Sequence, residues 1–172
     1  ACRPQRRLRK SRKWKPNGTS DLADTGFPFD FRDLGDGWFS WNLIDPTRYN
    51  SAVLGDLKVR REGDAARLRM VPERRHTNLG DNVHGATTLG LIDIALFATM
   101  HMVGEGEAGP SVTLELSTQF VGAGDPDRPL DAVSEIVRET GRLVFLRGEV
   151  VQDDDVVCAY SGIIRKMGNR KK

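Results

Sequence analysis

Polar and apolar positions change their period along this chain, and the changes mark its elements. Residues 86–100 (ATTLGLIDIALFATM) are uncharged except for Asp93, carry no Gly-Pro punctuation and are apolar on nearly every face. That pattern predicts a helix, and a helix apolar all round is a buried one. Upstream, residues 56–61 and 65–71 read as two short strands around the turn Arg61-Glu62-Gly63-Asp64. Downstream, residues 104–110 read as a loop, after which Val112, Leu114, Leu116 and Phe120 recur at multiples of two between Thr113, Glu115 and Ser117. Residues 130–139, 143–151 and 156–165 are three further runs of branched aliphatics, joined by short polar connections that predict an antiparallel meander. Residues 26–41 are rich in aromatics and glycine and read as an irregular packed segment capping the core, with a short helical turn over 46–54.

One long apolar helix preceded by two strands and followed by four predicts an α+β domain whose sheet wraps the helix. The length suits one domain with a real core. The expected division is a basic mobile tail over 1–20, an aromatic-rich leader over 21–54 packed on the core, the main domain over 55–166, and a basic tail over 167–172.

Composition changes this picture in two places. The net charge of +2 hides an asymmetry: eight of the 26 basic residues lie in residues 1–15 and five more in 165–172, so the body between holds an excess of the 24 acidic ones. Like-charge blocks poor in apolar residues do not collapse, so 1–20 is read as a solvated tail, the alternative being contact with nucleic acid, membrane or phosphate. Trp14 alone among those charges is too little aromatic interleaving for a nucleic-acid platform, and no apolar stretch follows to make a secretory signal. The run 86–103 is read as too short and too polar to span a bilayer. Cys2 and Cys158 form neither a disulfide framework nor a ligand spacing, which fits a reducing, cytoplasmic setting. His76, His84 and His101 with Asp81 and Asp93 lack the spacing of a hydrolytic metal site, so no metal is expected. Neither a Rossmann nor a P-loop motif occurs, and no cofactor is expected.

The chemistry concentrates at the helix. A carboxylate buried without a partner costs several kcal/mol, so Asp93 is either catalytic or a structural acceptor tied to amides or an Arg. Before it, residues 76–85 (HTNLGDNVHG) form a turn-rich approach to a helix start, whose unpaired N–H groups and positive dipole end suit a developing oxyanion. Gly85 leaves that backbone bare for close approach.

Asn78-x5-His84-Gly85 with Asp93 nine residues past the His resembles the hotdog-fold acyl-CoA thioesterases of the phenylacetate-degradation type, within the 4-hydroxybenzoyl-CoA thioesterase superfamily. The likeness covers about residues 55–166. It implies an antiparallel sheet wrapped around one central helix, an acyl-CoA substrate, and Asp93 as general base or nucleophile. It further implies that the Gly85 amide polarises the thioester carbonyl and that Asn78 and the Thr113 hydroxyl hold substrate and water. His84 then shapes the loop and, with Asn82 and Ala86, is expected to contact the substrate. The chain departs from the pattern at Ala86, where a second Gly is usual, and in the offset of Gly80; the leader before residue 55 lies outside the likeness.

One step needs no family. Gly85 and Asp93 on one helix lie about 12 Å apart along its axis, too far to act on one carbon. A site using both must join two copies across a two-fold interface, in line with the dimeric or tetrameric assembly the resemblance implies. The alternatives are an acyl-CoA-binding sensor with the basic leader on DNA, disfavoured because 1–20 is too short for a helix-turn-helix, and a hotdog hydratase, which wants a His base. Phe97, Met100 and Met102 are read as core or acyl-tunnel residues, and Arg74, Arg75, Arg165 and Lys166 as coenzyme A phosphate candidates by location.

Overall fold

The computed structural model describes residues 29–105 and 109–167. The two basic tails, except Met167, with Cys2 and Trp14, lie outside the described residues, as do parts of the leader and of the 104–110 loop. The central helix, α1 (Gly85–Val103), runs across an eight-stranded antiparallel sheet ordered β2-β3-β5-β6-β8-β9-β10-β7. Its members are β2 (Asp33–Gly35), β3 (Trp38–Ser40), β5 (Leu57–Glu62), β6 (Ala65–Met70), β7 (Ser111–Phe120), β8 (Leu130–Glu139), β9 (Leu143–Gln152) and β10 (Asp155–Lys166). A separate two-residue ladder joins β1 (Phe29–Asp30) to β4 (Asn42–Leu43). This is the hotdog arrangement, and the predicted meander is β8-β9-β10.

The helix is held by what the sheet offers it. Leu91, Ile92 and Leu96 are fully buried, as are Leu68 and Met70 on β6, Leu130 on β8 and Ile164 on β10. Gly162 on β10 makes room for Leu96, since a Cβ there would meet its Cδ1 at 2.5 Å. A buried hydrogen bond between the Thr99 and Ser134 hydroxyls, 2.6 Å, clips the helix to β8. At 19 residues α1 reaches the length and apolarity of a membrane span, contrary to expectation, because Asp93 is its one charged residue and the apolar majority outweighs it. Most of it is buried by its own sheet.

Two departures from the sequence-based expectation matter for the site. The leader is not irregular: β3 pairs with β5 and carries β2 outward, so the sheet continues into residues before 55. Three-residue strands broken by turns carry too few periods to read from sequence. The second departure lies in β7, where Thr113 pairs with Ile164 and Glu115 with Ile163, leaving Leu114 as an extra residue. Such a bulge inverts the alternation beyond it. Leu116 packs on the core, whereas Val112 and Leu114 are exposed, and Thr113 turns toward α1. The four apolar positions of this strand therefore do not share one face.

Candidate active site at the central helix

The helix start is built from the loop before it. His76 is buried with both ring nitrogens engaged: Nδ1 accepts from the Glu73 amide at 2.8 Å, and Nε2 lies 2.6 Å from the Val53 carbonyl. Its carbonyl accepts from the His84 amide at 2.7 Å, which fixes where the helix begins. Asn78 Oδ1 accepts from the Gly80 and Asn82 amides, and Asn82 Nδ2 donates to the Gly80 carbonyl at 3.0 Å. Both asparagines thus brace the loop, and the terminal nitrogen of Asn78 keeps its donors for other partners. His84 is the N-cap: its Nδ1 accepts from the Ala86 amide at 2.9 Å, so in the neutral ring the proton sits on Nε2.

That cap consumes the Ala86 amide and leaves the one beside it. The Gly85 N–H donates to no group among the described residues. It borders a pocket of about 290 Å³ that Asn78, Asn82, Thr88, Phe120 and Gly122 also line. The Phe120 ring lies against Gly85, 3.4 Å from where a Cβ would stand.

Asp93 lies two turns further on. The Thr113 hydroxyl donates to its Oδ1 at 2.6 Å, and the carboxylate is half-buried rather than interred. Along α1 the incompletely covered residues include Ala86, Leu89, Gly90, Asp93 and Phe97, a stripe at helical spacing that the sheet of this chain leaves open. The expectation of a carboxylate sunk in grease is corrected on this point, because the wrapping sheet covers most of the helix but not this side. Met100 and Met102 are plain core and Phe97 lies at the edge of the stripe.

The structure therefore divides the expected site residues into two groups. Asn78, Asn82 and Gly85 share the helix N-terminus; Asp93 and Thr113 share its middle. Of the phosphate candidates, Arg74 is paired with Asp81, Arg75 with Glu73 and Lys166 with Glu139, while Arg165 has no carboxylate partner among the described residues. Sequence reasoning missed Phe120 as a wall of the helix start and Tyr49 of the leader, whose hydroxyl rests on α1 at Gly90. The signal for Tyr49 is the glycine itself, since glycine in a helix interior is disfavoured without a reason.

Comparison with known proteins agrees with this fold. Residues 80–159 match the family model of the thioesterase superfamily. Three solved structures share the fold. A conserved protein of Pseudomonas aeruginosa is 22% identical, covering 70% of this chain and 94% of its own, with a TM-score of 0.62. The PaaI protein of the phenylacetic acid degradation operon of Escherichia coli is 16% identical, covering 73% and 88%, TM-score 0.62. A hypothetical thioesterase of Streptococcus pneumoniae, solved with coenzyme A, is 18% identical, covering 68% and 90%, TM-score 0.60. No curated protein matches the chain by sequence.

Proposed function

We propose that the protein hydrolyses an acyl-CoA thioester to the free acid and coenzyme A, at a site shared between two copies of the chain. One observation carries this reading: a single helix bears at Gly85 an amide with no acceptor among the described residues and at Asp93 a half-buried carboxylate held by a hydroxyl, both on its uncovered side. Pairing two such helices about a two-fold axis brings the amide of one to the carboxylate of the other, resolving the separation of about 12 Å. The sheet supports that pairing, because β7 is a ten-residue edge strand with Val112, Leu114 and Phe120 exposed, an edge of the kind that recruits another chain. The superfamily match supports the reaction class, and the coenzyme A in the Streptococcus pneumoniae neighbour supports the thiol half of the substrate.

In the reaction, the Gly85 N–H and the helix dipole stabilise the charge developing on the carbonyl oxygen. The Asp93 carboxylate either takes a proton from the attacking water or attacks the carbonyl itself, in which case water then cleaves the acyl–Asp93 anhydride to release the free acid, and Thr113 holds the carboxylate in place. Coenzyme A leaves as thiolate and is protonated from water.

Subunit complementation tests this. Gly85→Pro deletes the N–H at the first helical position, where proline is tolerated, and the extended backbone of His84 before it suits a following proline. Gly85→Pro and Asp93→Asn should each be inactive in thiol release from acyl-CoAs, and co-refolding the two should restore activity through mixed dimers with one intact site. If the mixture stays as inactive as its parents, the shared site is wrong; if both single variants remain active, so is the reaction assignment.

A further inference from the structure

We propose that the leader, residues 29–54, is the acyl-specificity element of this site, and that the Tyr49 ring closes the flank of the acyl slot so that only compact acyl groups, short-chain or planar aryl, reach Asp93. This rests on the thioesterase reading above. The leader lies outside residues 80–159, the segment that matches the superfamily model.

The placement follows from Gly90. A Cβ at that position would stand 2.7 Å from the Tyr49 hydroxyl oxygen and 3.4 Å from its Cε1, so the phenol ends directly on the helix backbone and a larger residue there would push it aside. Gly90 and Asp93 are three residues apart on one helix, hence neighbours at about 5–6 Å. Tyr49 is 53% exposed and its hydroxyl has no hydrogen-bond partner among the described residues, so the ring is not a core anchor. It stands at the side of the open stripe, where a bulky or long acyl group leaving Asp93 would have to pass.

The same stripe is stopped at its far end. Gly90, Phe97 and His101 recur at i, i+7 and i+11, which keeps them on one face. At His101 the leader returns: the rings of Phe31 and Trp41 lie 5.5 and 5.3 Å from the imidazole, and Phe31 stacks on Phe39 at 4.7 Å. From Asp93 to that aromatic stop is about 12 Å along the axis. A flank wall at Tyr49 and an end wall at His101, both supplied by the leader, bound the volume open to the acyl group.

The test compares kcat/KM for long-chain, short-chain and aryl acyl-CoAs in wild type, Tyr49→Ala, Tyr49→Phe and Gly90→Ala. Wild type should favour the compact substrates. Tyr49→Ala should raise the long-to-short ratio about tenfold or more, the scale on which pocket volume discriminates acyl groups. Tyr49→Phe keeps the ring and should keep the wild-type ratio, while Gly90→Ala displaces the ring without removing it and should shift the ratio as Tyr49→Ala does. The same panel is titrated by calorimetry in an Asp93→Asn background, where binding is read without turnover. Binding with a ratio unmoved by Tyr49→Ala and Gly90→Ala overturns the leader's role and leaves the thioesterase reading standing; no binding or hydrolysis of any acyl-CoA overturns both.

Discussion

In the second half of the central helix, Ile94, Ala95, Leu96, Ala98, Thr99, Met100 and Met102 are buried. In the first half, Gly85, Ala86, Leu89, Gly90 and Asp93 all keep some exposure. The second half (IALFATMHMV) is also more apolar in sequence than the first (GATTLGLID). What surrounds them sharpens the difference: β8, through Ser134 on Thr99, and the leader aromatics at His101 close over the C-terminal half, whereas Gly85 and Asp93 face β7, a bulged strand with no neighbour beyond it among the described residues. The C-terminal half thus anchors the fold, while the N-terminal half anchors it through Thr87, Thr88, Leu91 and Ile92 and presents an amide and a carboxylate on its open side.

If that division is right, a change in the open half costs activity without stability. Asp93→Asn should lower turnover by about two to four orders of magnitude, the usual contribution of a positioned acid or base. The amide still accepts the Thr113 hydrogen bond, so the melting temperature should hardly move. Thiol release and thermal unfolding on the same preparation decide it; a variant that hydrolyses near the wild-type rate removes Asp93 from the chemistry.

A change in the closed half should do the reverse. Leu96 is fully buried against Gly162, and Leu96→Ala should cost about 2–5 kcal/mol of stability by lost burial and a residual cavity. Denaturant unfolding measures the loss. Activity per folded molecule should remain close to wild type, and a matching collapse of kcat would mean that the two halves are not separable.

Much of this contrast is legible in the amino-acid sequence. The long apolar helix, the meander and the pairing of a bare Gly85 with a lone Asp93 follow from periodicity and from residue chemistry. The illegible parts are those in which tertiary partners override local pattern. Thr113 and Leu116 cannot be assigned to one face of β7 without knowing that Leu114 is bulged out against β10, an interstrand fact. Trp38 and Phe39 look like loop aromatics until β5 supplies the ladder. His76 looks like a candidate ligand until Val53 and Glu73 take both its nitrogens. Asp93 looks deeply buried because hydropathy averages over the whole helix and says nothing about which side the sheet leaves open.

Thr113→Ala is a smaller test of the open half. It leaves the carboxylate in place and removes only the 2.6 Å hydrogen bond that orients it. We expect kcat to fall about tenfold, equivalent to ~1.4 kcal/mol in the barrier, with little change in stability. A rate equal to wild type would mean that the apolar walls alone hold Asp93, and that the β7 bulge matters for packing rather than for chemistry.

The smallest effect tests the seal on the closed half. His101 sits in the last turn of α1, where the helix dipole favours a cation, yet burial among Phe31 and Trp41 lowers its pKa below the ordinary 6.5. Desolvation therefore wins, and the ring is held neutral in the folded protein. The unfolded chain then binds a proton as the pH falls through about 6.5, while the folded chain does so only at lower pH. Stability linked to His101 is fully present above that value and is lost progressively below it. His101→Phe keeps a ring in the aromatic cluster and cannot titrate. Its melting temperature relative to wild type should rise by a few degrees between about pH 7.5 and pH 5, and a difference independent of pH would show that the leader does not exclude water from the end of the helix.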